Sequence, residues 1–239
     1  MNIDVSSLDF KTLNEALRAS GDEVTIDGCL GQRFIAAGMA KKKLTINGVP
    51  GNALGAYLNG ASVTVNANAQ DAVGDTMNDG EIIIHGNVGD AVGYAMRGGR
   101  IIVQGNAGYR AGIHMKEYKE KIPEIIIGGT AGSFLGEYQA GGVIVVLGLG
   151  SGDKPIVGSF PCTGMHGGHM YLRGDCEGIE FPSQVSARPA GAEDMEKIKR
   201  YVKEYCNVFG CDADEILASP FTVVTPDSKN PYKQMYVAN

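Results

Sequence analysis

A three-residue β-type run recurs along this chain at nearly constant spacing, and no other feature of the sequence constrains the fold so tightly. Val24-Thr25-Ile26, Leu44-Thr45-Ile46, Val63-Thr64-Val65, Ile82-Ile83-Ile84 and Ile101-Ile102-Val103 start 20, 19, 19 and 19 residues apart. Ile125 and Ile144 open two further units, 24 and 19 residues on, and Met170-Tyr171-Leu172 forms a looser last unit after 26. The long steps coincide with Lys116-Glu117-Tyr118-Lys119-Glu120-Lys121 and with Gly150-Ser151-Gly152-Asp153-Lys154-Pro155. Both read as loops pushed out from one edge of a regular stack.

Each run is followed by a block Gly-x-x-Gly-x-x-x-Gly. It appears as Gly48, Gly51 and Gly55, then as Gly86, Gly89 and Gly93. It returns as Gly105, Gly108 and Gly112, and again as Gly129, Gly132 and Gly136. The third unit keeps only Gly74. The first keeps Gly28 and Gly31, with Ile35 in the last place. Glycine reaches 35 of 239 residues, about twice the ordinary ~7%. Its periodic placement assigns it to corners that turn sharply or pack tightly. A period near 19 is too short for helix-pair repeats of ~33–47 residues, and the recurrent leucines of leucine-rich repeats are absent. The pattern predicts an all-β, right-handed parallel β-helix of about seven to eight coils. At about 4.8 Å per coil this rod is roughly 35 Å long.

Side chains alternate faces along a strand, so positions one and three of each run form the interior. Position two is Thr25, Thr45 and Thr64 in the early coils. It becomes Ile83, Ile102, Ile126, Val145 and Tyr171 in the later ones. A threonine ladder tolerates water, but an exposed aliphatic stripe is avoided by soluble monomers. The stripe therefore requires a cover, which is the chain's own C-terminal segment, a partner protein, or a second copy in a homo-oligomer.

The open ends of a solenoid need caps. Phe10–Arg18 reads as a short amphipathic helix with Asp9 as N-cap and Gly21 just past its end. Met195, Ile198, Val202 and Tyr205 have helical spacing, with Gly210 as a stop. Asp212-Ala213-Asp214-Glu215 resembles a capping box. Phe221 to Lys233 has no period and reads as an extended docking tail. The resulting division is a cap over 1–22, the β-helix over 23–180, and C-terminal helices with the tail over 181–239.

The bulk numbers exclude several classes. A net charge of −6 disfavours a nucleic-acid binder, which needs a basic face. No apolar run reaches the ~20 residues of a membrane span. The N-terminus lacks the regions of a secretion signal, and five scattered cysteines then suggest reduced thiols in a cytoplasm. Cys206 and Cys211 flank a helix end but form no C-x-x-C pair. Gly148-Leu149-Gly150-Ser151-Gly152-Asp153 imitates a dinucleotide fingerprint. It fails because Asp153 takes the third glycine position and Lys154-Pro155 cannot open the required helix turn. Cys162, His166, His169 and Cys176 are close in sequence, but their spacing matches no closed metal site. His85 and His114 stand alone in their units. Asp71, Asp75, Asp79 and Asp90 could supply paired carboxylates for glycoside cleavage, yet they fall in turns, where Asp is ordinary.

The glycine blocks on ~19-residue coils resemble the C-terminal β-helix domain of the large subunit of glutamate synthase. Gly164-Met165-His166-Gly167-Gly168-His169-Met170-Tyr171-Leu172 looks like that domain's closing motif, with His166 where long bacterial forms often have Thr. The resemblance covers about residues 20–175, and Ile198–Tyr232 is also similar to the end of that family. It implies an architectural role with no catalytic, cofactor-binding or metal residue on this chain. FMN, an iron–sulfur cluster and NAD(P)H are implied for partner chains. Those chains would be a glutaminase that releases ammonia and an FMN barrel that forms glutamate from 2-oxoglutarate, as in split forms of the enzyme. Two alternatives remain at this level. One is the β-helical subunit of formylmethanofuran dehydrogenase, which shares the repeat, and the other is an independent β-helix enzyme acting on polysaccharide.

Overall fold

The structure is a computed structural model and describes residues 1–228. It is a parallel β-solenoid of about eight turns. The strands are β1 (Asn2–Asp4), β2 (Glu23–Leu30), β3 (Lys43–Val49), β4 (Asn59–Val65), β5 (Asp79–Ile84), β6 (Arg100–Val103), β7 (Glu124–Ile127), β8 (Ala140–Val146), β9 (Gly167–Arg173), β10 (Val185–Pro189) and β11 (Phe221–Pro226). The helices are α1 (Phe10–Ala19), α2 (Ala192–Phe209) and α3 (Ala213–Leu217). All strands share one sheet, parallel from β1 to β9 and closed by antiparallel β11 and β10.

The register stacks like on like. Ile82 pairs with Ile101, Ile101 with Ile125, and Ile125 with Ile144. Positions one and three of each run point inward and are buried, from Val24 and Ile26 in the first coil to Met170 and Leu172 in the last. A second inward column runs through Ala69, Val88, Ala107, Ala131 and Val157, joined by parallel bridges. A third holds Leu58, Met77, Met96 and Met115. Gln139 continues that third column and donates to the carbonyls of Gly141 and Gly142 at 3.2 and 3.1 Å.

The corner after each strand explains the last glycine of the block. In the third coil Ala72, Gly74 and Thr76 all have left-handed φ, at 57, 70 and 51°. Their amides point alternately to the coils on either side. Ala72 N–H donates to Asp90 O and Thr76 N–H to Tyr94 O, while Gly74 N–H donates back to Leu54 O. The same triplet recurs around Gly55, Gly93, Gly112 and Gly136, each flanked two residues away by left-handed non-glycine residues. In these coils it is the middle place that is glycine. A Cβ on Gly74 would lie 2.4 Å from Ile101 Cδ1, and one on Gly93 2.4 Å from Ile125 Cδ1. Gly55 faces Ile82 in the same way, Gly112 faces Ile144, and Gly136 faces the Met170 methyl.

The first coil corrects the sequence register. A one-residue irregularity between Ile26 and Cys29 shifts the pairing, so the middle corner place is Ala36 (φ 63) and not Ile35. Ile35 is a core residue. The strand residue that corresponds to Ile101 and Ile125 is here Val63. Valine lacks the Cδ1 methyl, and this leaves room for alanine.

The first two glycines of the block answer a different need. Asn87 N–H donates to Asn68 Oδ1, Asn106 N–H to Asn87 Oδ1 and Thr130 N–H to Asn106 Oδ1, each at 2.8 Å. Asp90 and Tyr109 amides likewise bond Asp71 and Asp90 Oδ1 at 2.9 and 2.8 Å. A Cβ on Gly105 would fall 2.3 Å from Asn87 Oδ1, and one on Gly108 2.2 Å from Asp90 Oδ1. Gly86 and Gly129 clear the Asn68 and Asn106 oxygens, and Gly89 clears that of Asp71. Glycine thus makes room for the ladder oxygens of the preceding coil. Where the ladder side chain is missing, the backbone itself or a ring takes its place. Gly48 and Gly51 lie against the Cys29 and Gly31 carbonyls, and Gly132 lies against the Tyr109 ring.

The apolar stripe has a cover within the chain. Helix α2 lies on the outer face of the later coils, and Ile198, Tyr201, Val202, Tyr205 and Cys206 form a second core with Ile102, Ile126, Val145 and Tyr171. The stripe is therefore unavailable for a homo-oligomer through self-pairing, which corrects that alternative. Ile83 lies outside this cluster and is half-buried. Tyr205 donates from its hydroxyl to Gln104 O at 2.9 Å, and a Cβ on Gly128 would stand 2.0 Å from that hydroxyl. Arg200 pairs with Glu124 and Glu204, and Arg100 with Glu204 at 2.8 Å, which ties the helix to strand starts.

The tail segment Phe221–Pro226 is a strand, β11, inserted between β9 and β10. Periodicity cannot reveal it, because an antiparallel closing strand occurs once. The Pro231-Tyr232-Lys233 part of the predicted tail lies outside the described residues.

Two measurements test this account. Gly93→Ala should destabilise the protein by about 2 kcal/mol or more, and adding Ile125→Val should recover roughly 1 kcal/mol of that loss. Additive urea midpoints would count against the corner clash. Ile102→Glu buries an unpaired charge beneath α2 and should cost about 3 kcal/mol. The readout is loss of α2 helicity and stability with an unchanged oligomeric state.

Candidate functional site

The residues weighed for chemistry are dispersed by the fold. Cys162 occupies the middle corner place of its coil, fully buried, with Sγ 3.8 Å from Met170 Sδ. Burial pushes its thiol up to about 12. Cys176 lies in a separate turn near Gly174 O. Among the described residues no three or more His, Cys, Asp or Glu side chains converge on a point that could hold a metal. Asp71 and Asp90 each commit an oxygen to the amide of the next coil. Asp75 accepts from the Thr76 hydroxyl. Asp79 pairs with Lys121 at 2.8 Å, and this contact holds its carboxyl below the usual range. The charged insertion therefore folds back along the coils. His85 packs edge-on against Phe209 at the end of α2, 5.1 Å between ring centroids. The Gly148–Asp153 segment is a turn with no helix following it.

Gly164 stands in the corner before β9, and Gly167 and Gly168 are the first two residues of that strand. Gly164 takes the third left-handed place (φ 69), which Tyr138 takes one coil earlier. A Cβ there would lie 2.4 Å from the Tyr138 ring. A Cβ on Gly167 would collide with the Ala140 carbonyl, its partner in register. Gly168 is left-handed, as Gly142 is in the coil beneath.

What the fold does bring together is a corner lined with rings. Outward side chains at or next to the left-handed places stack along the solenoid. His114 lies flat on Tyr138, 5.2 Å between centroids, and Tyr94 meets His114 edge-on at 6.0 Å. Phe134 stacks on Phe160 at 5.4 Å, with the Arg110 guanidinium over Phe134 at 4.8 Å. Tyr57, Tyr94, Tyr109 and Phe160 are exposed. At the closing end the corner opens into a cavity of about 660 Å³ lined by His114, Lys116, Glu117, Tyr138, His166 and His169. Glu117 Oε1 is engaged by Gly142 N–H at 3.0 Å. Burial, with the Lys197 charge, holds His169 below the usual histidine value. The wall is polar and aromatic. Sequence reasoning misses it because these rings sit 20, 24 or 26 residues apart, at places the glycine pattern leaves variable.

Comparison with known proteins gives three findings. The GXGXG motif family, to which the C-terminal domain of the glutamate synthase large subunit belongs, matches residues 10–227. An uncharacterized protein of Methanocaldococcus jannaschii is 43% identical over 248 residues, covering 98% of this chain and 95% of its own length. Among solved structures, the formyltransferase/hydrolase complex (FhcABCD) of Methylorubrum extorquens, determined with methylofuran, contains a similar chain. Its TM-score is 0.64 at 19% identity, over 84% of this chain and 72% of that one. At that identity the likeness is one of fold. With a match that runs from the capping helix to the closing strand, the chain belongs to the GXGXG motif family.

Proposed function

We propose that this chain is the non-catalytic, β-helical scaffold subunit of a multi-chain oxidoreductase of the glutamate synthase type. It organises a glutaminase chain and an FMN-barrel chain for the synthesis of glutamate from glutamine and 2-oxoglutarate. The observation that carries this reading is the extent of the family match. It runs over residues 10–227 and takes in α1, α2 and β11 with the coils between them, which supports reading the chain as that architectural domain. One side-chain oxygen each of Asn68, Asp71, Asn87, Asp90 and Asn106 is spent on an amide of the next coil, which suits a scaffold. FMN, the iron–sulfur cluster and NAD(P)H belong to the partner chains on this reading, and the complex works in the cytoplasm. A second reading, the β-helical subunit of a formylmethanofuran dehydrogenase, is favoured by the fold likeness to a chain of the formyltransferase/hydrolase complex.

Reconstitution separates the two. Added to separately purified glutaminase and FMN-barrel chains, this chain should raise glutamine-dependent glutamate formation at least tenfold. It should show neither flavin absorbance nor glutaminase activity alone. Co-purification from the native source with formyltransferase and hydrolase chains, and without a flavin chain, would move the assignment to the second reading.

A further inference from the structure

Three of the chain's four histidines meet at one place. His114, His166 and His169 line the cavity of about 660 Å³ at the closing end of the ring-lined corner, and His85 lies apart, against Phe209. The rings come from two coils, His114 from a left-handed corner place and His166 and His169 from the start of β9 and the residue before it. Lys116 and Glu117 of the charged insertion and Tyr138 complete the wall. Among the described residues no hydrogen bond or ion pair engages the Lys116 ammonium, the His114 ring, the Tyr138 hydroxyl or the His169 ring. His166 has one bond, and it fixes the tautomer. Nδ1 lies 2.9 Å from Gly164 O. A carbonyl only accepts, so Nδ1 carries a proton and the neutral ring keeps its lone pair on Nε2. Glu117, the one carboxylate on the wall, gives Oε1 to Gly142 N–H at 3.0 Å. Behind the wall His169 is faced by Lys197, Arg188 and Asp194 as well as Glu117. Arg188 and Asp194 pair with each other at 2.6 Å, so Lys116 and Lys197 together outweigh Glu117.

We propose that this cavity binds the carboxylate or phosphate group of a small organic molecule, with Lys116 as the standing charge and His166 and His169 as donors that take up protons on binding. The three rings do not converge on a point that could hold a metal, and the volume falls within the ~300–1,000 Å³ of small-molecule sites. In the neutral His166 ring Nε2 offers only a lone pair, which an oxyanion cannot use. Protonation makes that nitrogen a donor, and a charge-assisted bond to an oxyanion is about twice as strong as a neutral one. Burial, with Lys197, favours the neutral form of His169, so this ring must gain a proton as well. The anion therefore brings protons with it. Binding is strongest below the ordinary histidine range near about 6.5, and it is lost as pH rises through the midpoints of the bound rings. The ligand joins the insertion, two corner rings and the start of the closing strand, which otherwise meet only through Gly142 N–H on Glu117 and the stacking of His114 on Tyr138.

The test titrates the full chain with sulfate, a tetrahedral oxyanion whose charge is constant over the range, and separately with succinate. The histidine ring signals are followed by proton–carbon NMR. The expected result is a saturable shift at His114, His166 and His169, with His85 unmoved as the internal control. Affinity should be at least fivefold higher at pH 6.5 than at pH 8.0, and the titration midpoints of His166 and His169 should rise in the presence of the anion. Lys116→Ala, a change at an exposed side chain, should weaken binding at least fivefold with an unchanged urea midpoint. Lys154→Ala, at an exposed lysine of a different loop, should leave binding as it is. Saturation by sulfate alone identifies a phosphorylated ligand, and saturation by succinate alone an organic acid. The proposal is overturned if neither anion moves the three rings, if His85 moves in parallel with them, or if affinity is the same at both pH values.

Discussion

Everything in this structure depends on how the corner residues share their backbone amides between two neighbouring coils. A parallel stack has no hairpins to satisfy its turns, and a turn with unpaired amides would cost about 1–3 kcal/mol for each buried donor. The alternating left-handed places answer this. At Ala72, Gly74 and Thr76 the amides go to one neighbour, then the other, then the first again. Non-glycine residues in that region each cost about 1–3 kcal/mol, so the chain accepts strain at the outward places to keep its hydrogen bonds. At the middle place of most coils it uses glycine, because a Cβ there would meet an inward side chain.

That division separates two faces with different freedoms. The inward middle place is tied to the strand residue it meets. Gly55 with Ile82 and Gly112 with Ile144 are one solution, Ala36 with Val63 is a second, and Cys162 beside Met170 is a third. The outward places are free to vary in size, and there the molecule carries Tyr57, His114, Phe134 and Tyr138. The aromatic wall is therefore laid on positions where the fold places few demands on the side chain.

Much of this is legible in the sequence. The run of apolar first and third positions sets the interior, and Asp9, Gly210 and Asp212 mark helix ends because caps are local chemistry. The stripe at Ile102, Ile126, Val145 and Tyr171 announces that something covers it, but a helix face and a partner's face leave the same mark on the covered strand. The register at Ile35 and Ala36 is not legible, because a one-residue bulge is invisible to a count of glycines. The glycine blocks show a period but not that their places serve different ends: Gly86 and Gly89 make way for side-chain oxygens of the coil before, and Gly136 for a methionine methyl. Gly128 is legible as half of a Gly-Gly pair but not as the seat of the Tyr205 hydroxyl, which arrives from a helix far along the chain. The Asn68, Asn87 and Asn106 ladder is visible as a 19-residue echo, yet it reads as ordinary turn composition until the stacking is known.

The ends and the lid together decide which surface is left for association. The first coil is closed by β1 and α1, so its edge does not offer a row of free amides. At the other end β11 and β10 reverse the sheet, and the outermost strand is five residues long and carries Arg188 and Pro189, features that blunt an edge against pairing. Helix α2 closes the aliphatic side. The molecule has thus covered with its own chain the surfaces on which a solenoid would otherwise grow or aggregate. The ring-lined corner is different, since its geometry is repeated coil by coil and its side chains remain in solvent. A scaffold needs that combination, a face whose spacing cannot drift and whose chemistry can change from coil to coil without disturbing the stack beneath it.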